Sequence, residues 1–199
     1  MKKLIGLIWV LMMVVFSACN SDVTREADVL FKDGKYNEAI ESYTEYLSTK
    51  PKDIKSLYNR GRAYEEVGQL EEAREDFEAV LAIDETNVNA NLSMGKYWYN
   101  SKDFTKAIYY FDKVIQVDGR VSTAYLLKGR SHHQLGDFDE AKANYDQAIN
   151  FDNENAEAFL YRGALKVALN QSKGACNDLN RARALGSEEA KDAIARYCK

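Results

Sequence analysis

An interval of 34 residues runs through this chain and restricts its possible folds more than any other feature. Gly34, Gly68, Lys102, Gly136 and Asn170 fall on it, and five residues after each comes an alanine: Ala39, Ala73, Ala107, Ala141 and Ala175. Four residues further on stand Tyr43, Phe77, Phe111, Tyr145 and Leu179, all bulky and apolar. A second ladder of small residues, Ala27, Gly61, Gly95, Gly129 and Gly163, keeps the same spacing. A fixed period of this length marks stacked units, each too small to bury its own apolar face and each covered by its neighbours.

The residues within one period dictate the shape of the unit. In the stretch 57–84, Leu57, Gly61, Tyr64 and Val67 recur at helical spacing, Gly68 and Gln69 interrupt, and Leu70, Ala73, Phe77, Val80 and Leu81 resume the pattern. The spacing predicts a helix, a tight turn and a second, antiparallel helix. Gly61 and Ala73 are small because closely crossing helices leave no room for a long side chain, while Tyr64 and Phe77 fill the wider gaps.

This pattern resembles the tetratricopeptide repeat family, in which small residues stand where Gly61 and Ala73 do, aromatics near Tyr64 and Phe77, and proline often separates units, as Pro51 does here. The resemblance implies an all-α fold, a right-handed superhelical solenoid of antiparallel helix hairpins. Five units are expected at about 20–53, 54–87, 88–121, 122–155 and 156–189. The first is the weakest, with Glu26 where later units carry apolar, arginine or lysine residues. A last helix over 188–198, with Ala190, Ile194 and Tyr197 on one side, is expected to cap the final unit.

Ahead of the repeats, Met1, Lys2 and Lys3 precede an apolar run over residues 4–18, which is short for a membrane span of about 20 residues and reads as an export signal. Phe16, Ser17, Ala18 and Cys19 resemble a bacterial lipobox, although leucine is commonest where Phe16 stands. That resemblance implies cleavage after residue 18, acyl chains on Cys19, a short linker over 19–21, and a palmitate-type anchor in the membrane. An ordinary signal cut near Ala18, or an uncleaved helix anchor, is the alternative. Asn20 replaces the aspartate that marks inner-membrane retention in some bacteria, so the expected location is the outer membrane, facing the periplasm or exterior.

Charge argues against one class of partner. The chain carries 27 basic and 31 acidic residues, and removing Lys2 and Lys3 with the leader leaves 25 basic ones, a formal charge of −6. Nucleic-acid binding usually rests on a basic face, so none is expected. An exported chain lives where disulfides persist, and Cys176 and Cys198, 22 residues apart on what read as neighbouring antiparallel helices, are candidates for one. Two separate buried thiols are the alternative.

Signals for catalysis are absent. His132 falls where Tyr64 and Trp98 stand and reads as a core or half-core residue, while His133 reads as groove-facing. Neither has a cysteine or a convincing acidic partner at ligand spacing, so no metal and no cofactor are expected. The chain lacks a phosphate-cradling glycine loop, an HExxH stretch and a nucleophile elbow, and no enzyme is expected.

What the resemblance implies instead is a concave groove, lined by the first helices of successive hairpins, that takes a peptide or an extended segment of an envelope protein. Its matching positions are Lys55, Tyr58, Asn59, Arg62 and Glu66; Asn89, Leu92, Lys96, Tyr99 and Asn100; and Thr123, Leu126, Leu127, Arg130 and Gln134. The family's lysine-and-asparagine clamp for a terminal carboxylate does not fit these positions, where only Asn59 agrees. The expected function is that of a membrane-anchored interaction scaffold of the cell envelope. A carbohydrate or cell-wall fragment binder stacking sugars on Tyr58 and Tyr99, or a structural spacer, is the alternative.

Overall fold

The structure is a computed structural model that describes residues 24–198. The expected leader and the acylation site at Cys19 lie outside the described residues. Among those residues there are eleven helices and no strand, and no helix is long and apolar enough to cross a membrane. The chain divides into two compact units at Glu85/Thr86. The first holds α1 (24–32), α2 (Tyr36–Thr49), α3 (Ile54–Glu66) and α4 (Leu70–Ile83). The second holds α5 (Val88–Asn100), α6 (Phe104–Val117), α7 (Ser122–Leu135), α8 (Phe138–Phe151), α9 (Ala156–Ala168), α10 (Ser172–Ala184) and α11 (Glu188–Tyr197). Within each unit consecutive helices pack against one another.

The 34-residue interval has a physical cause at each of its rungs. At the turn between paired helices the backbone is left-handed: Gly68 has φ 80°, and Lys102 and Asn170 adopt 62° and 59° in the same place. Glycine enters that region without steric cost and asparagine tolerates it, whereas Lys102 bears a cost that the surrounding turn overrides. From α3 onward the first helix of a hairpin is entered through a side-chain cap that is also periodic. Asp53, Asn87 and Asn155 accept hydrogen bonds from the amides of Ser56, Ala90 and Ala158, while Val121 interrupts the series.

The ladder of small residues meets the ladder of bulky ones 16 residues later. A Cβ placed on Gly61 would lie 2.7 Å from Phe77 Cε1, one on Gly129 would lie 2.8 Å from Tyr145, and one on Gly163 would lie 3.0 Å from Leu179. Phe77, Phe111, Tyr145 and Leu179 are accordingly all buried. The same offset of 16 residues sets an ion-pair ladder. Arg60 donates from Nε and Nη2 to the two carboxylate oxygens of Asp76, and Arg162 does the same to Asp178. Arg162 also reaches back to Asp146, and Lys128 to Asp112, so in the second unit these pairs tie each hairpin to the one before.

α11 covers the last hairpin. Ala190 is buried against Phe159, Leu160, Leu179 and Ala182, with Ile194 alongside. Tyr197, expected on that apolar side, is instead about half exposed at the helix end. Cys176 on α10 and Cys198 just beyond α11 are joined by a disulfide, with Cα atoms 5.6 Å apart. Reduction removes the only covalent tie on a ten-residue helix with one fully buried side chain among its own residues. Amide exchange over Glu188–Tyr197 is therefore expected to accelerate by about tenfold or more on reduction, with α8 unchanged, as read by hydrogen-exchange mass spectrometry.

Candidate functional site

In the first unit the expected groove residues are satisfied by one another. Asp28 on α1 accepts hydrogen bonds from Tyr43, from Asn59 at 3.0 Å and from Lys55. Burial works to raise the Asp28 pKa, but the hydrogen bonds from Lys55, Tyr43 and Asn59 outweigh it and hold the carboxylate below its usual range. Arg62 pairs with Glu65 and Glu66 along its own helix, and Tyr58 packs its ring against Phe77 at 5.7 Å. The charged side chains among these five thus each have an ion-pair partner among the described residues.

The second unit differs. Asn89, Lys96 and Asn100 on α5 and Thr123 on α7 are exposed, with Leu92 and Leu127 half-buried. Leu126 is not a groove residue. It is 3% exposed and belongs to the core with Ala141, Tyr145, Ala148, Ala158 and Leu165, because its place on α7 turns it towards α8 and α9. Tyr99, Arg130 and Gln134 do come together, and with them His133, Tyr145, Tyr161 and Ala164, around a recess of about 250 Å³.

Arg130 dominates that recess. Its guanidinium carbon lies 4.4 Å from the ring centre of Tyr161 and 5.1 Å from that of Tyr99, so two aromatic residues hold the cation between them. Tyr161 in turn stacks on Tyr145, their planes 21° apart. Arg130 makes no hydrogen bond or ion pair with any described residue, and its Nε is buried without a partner. The contrast with Arg60 and Arg162, each engaged two-pronged by an aspartate, is a difference of position. Those arginines lie two residues before the place of Arg130 in their repeats and meet the following helix.

The other polar groups of the recess are neutral. Burial lowers the His133 pKa, so the ring is uncharged at pH 7, and its Nδ1 lies 3.4 Å from the Tyr145 hydroxyl. Burial, opposed by the nearby Arg130 charge, raises the pKa of both Tyr145 and Tyr161 and keeps both hydroxyls protonated. His132 points elsewhere, its Nδ1 3.2 Å from Asp137. Among the described residues no group of three or more His, Cys, Asp or Glu side chains could hold a metal ion.

Tyr161 and Ala164 were legible as groove positions, being one period beyond Leu127 and Arg130. Tyr145 was not, since its place in the bulky ladder gives it a packing role and conceals that its hydroxyl end reaches the recess.

Tetratricopeptide repeat models match residues 24–88 and 58–120, and a further TPR repeat model matches residues 129–170. No curated protein matches the chain. Among solved structures, MamA 41-end from Desulfovibrio magneticus RS-1 is 19% identical with a TM-score of 0.78, covering 83% of this chain and 94% of that one. PilW, described as a widely conserved type IV pilus biogenesis factor, is 20% identical with a TM-score of 0.74, covering 83% of this chain and 77% of its own. YrrB, described as a TPR protein with an unusual peptide-binding site, is 19% identical with a TM-score of 0.72, covering 87% of this chain and 90% of its own. At these identities the likeness is one of fold.

Proposed function

Because this chain belongs to the tetratricopeptide repeat family, we propose that it is a protein-interaction scaffold, anchored to a bacterial envelope membrane through Cys19, that binds an extended segment of a partner protein at the Arg130 recess. The observation that carries this reading is the Arg130 guanidinium, held between Tyr99 and Tyr161 and without a hydrogen bond or ion pair to any described residue, whereas Lys55 and Arg62 in the first unit are paired. Aromatic rings and arginine are the groups that most often dominate interface energetics. Anchoring supports the same job, since confinement to a membrane raises the effective concentration of two tethered proteins.

Glycan binding is the poorer reading. Tyr58 lies against Phe77, and Tyr99 lies against Phe104 and Arg130, so ring surface a sugar would stack on is already engaged. The apolar run with Cys19 at its end supports an envelope location, with the outer membrane favoured by Asn20.

Cross-linking in intact cells followed by affinity capture and mass spectrometry tests the proposal. The native chain is expected to capture specific proteins that Tyr99→Ala loses while keeping its helical circular dichroism. Cys19→Ala is expected to move the protein from the membrane fraction to the soluble one. Partners retained by Tyr99→Ala would refute the recess as the binding site, and membrane retention of Cys19→Ala would refute the lipid anchor.

A further inference from the structure

The chemistry of the recess specifies part of what enters it. We infer that it takes the carboxylate of an aspartate or glutamate side chain within the partner's extended segment, an inference that rests on the peptide-binding reading above. Arg130 is the one charged residue among the seven that line the recess, and no acidic group neutralises it there. A guanidinium that is half-buried, stacked and unpaired favours an anion, and its planar fork matches a carboxylate.

The chain itself displays the contact twice. Arg60 on Asp76 and Arg162 on Asp178 both bind through Nε and Nη2, at 2.6–2.8 Å. In Arg130 the same Nε is buried without an acceptor among the described residues, so the hydrogen-bonding capacity of the fork is unfilled. The rings of Tyr99 and Tyr161 fix the plane of the fork in advance, so little freedom is lost when a carboxylate docks.

Size and charge narrow the source of that carboxylate. A recess of about 250 Å³ is below the range of about 300–1,000 Å³ usual for small-molecule sites. It suits one side chain of a longer segment. A glutamate or aspartate projects its carboxylate on a slender stem to the edge of the guanidinium that the two tyrosines hold. A chain terminus would have to bring its backbone and the side chain of its last residue into the same space. With neutral His133 and the protonated tyrosines around it, the recess offers hydrogen bonds but no second charge, matching a single carboxylate.

The test is selection of random twelve-residue segments, displayed with both ends fused, on the full chain and on its Arg130→Gln and Arg130→Glu variants, each checked by circular dichroism. Segments selected on the native chain are expected to share one acidic position, and exchanging that residue for its amide is expected to weaken binding by about tenfold or more. Selection on Arg130→Gln is expected to lose the acidic position, and selection on folded Arg130→Glu to replace it with lysine or arginine. Segments that bind the native chain without a shared acidic position would overturn the inference and leave the peptide-binding reading standing. Enrichment seen only from a second library, whose segments end in a free carboxyl group, would overturn the side-chain assignment. Failure to select any segment from either library would overturn both.

Discussion

Replacing Gly95 with leucine is expected to lower the melting temperature by about 6–12 °C. A Cβ at this position would press on the Phe111 ring, lying 2.7 Å from Cδ1 and 2.9 Å from Cζ, and the rest of a leucine has nowhere to go. Phe111 is fully buried, so the ring cannot swing into solvent. Leucine gains about 1 kcal/mol of helix propensity over glycine, but overpacking at a contact this close is expected to exceed that by about 3 kcal/mol. At 2–4 °C per kcal/mol for a chain of this size, the stated shift follows. Gly119→Ala is the control, since its Cβ would meet only Ile115 O at an ordinary 3.6 Å. A melting temperature that Gly95→Leu leaves unchanged would contradict the close crossing of α5 and α6.

Asp178→Ala is expected to be comparably severe for an electrostatic reason. Asp178 takes both prongs of Arg162 and also the Lys166 ammonium at 2.7 Å. The side chains are 7%, 17% and 16% exposed, so water cannot replace the missing carboxylate. Arg162 would keep Asp146, but Lys166 would be left without an acceptor and Arg162 with two donors unmet. Removing one member of such a cluster costs about 3 kcal/mol, or about 6–12 °C in melting temperature. Replacing all three, as Asp178→Leu with Arg162→Met and Lys166→Met, is expected to recover most of the loss, because well-packed apolar groups substitute for a buried ion cluster. If the triple variant melts as low as Asp178→Ala, the lost stability came from packing and not from stranded charge.

The fold could be read from the chain because its period is long, repeated five times and tied to strict sterics. Gly61 with Phe77 and Gly129 with Tyr145 are pairs that only a close helix crossing explains. The site was less legible, for three physical reasons. A groove column names positions but does not say whether their polar groups are already engaged, as Lys55 and Asn59 are with Asp28. A helix face is a continuum, so Leu126, one residue from Leu127, turns into the core. A ring whose body packs in the interior can still present its hydroxyl to a recess, as Tyr145 does beside His133. What marks Arg130 is that no acid among the described residues pairs with it, and that depends on side chains from α5, α7 and α9 meeting in three dimensions.

The account stands or falls on whether a partner segment enters this recess. The most direct measurement is photo-cross-linking in cells from a benzophenone side chain placed at Gln134, which lines the recess, and at Gln147, an exposed residue of α8 outside it. The expected result is a discrete cross-linked species from position 134 that disappears in Arg130→Gln, with none from position 147. Equal cross-linking from both positions, or a species from 134 that survives Arg130→Gln, would contradict it.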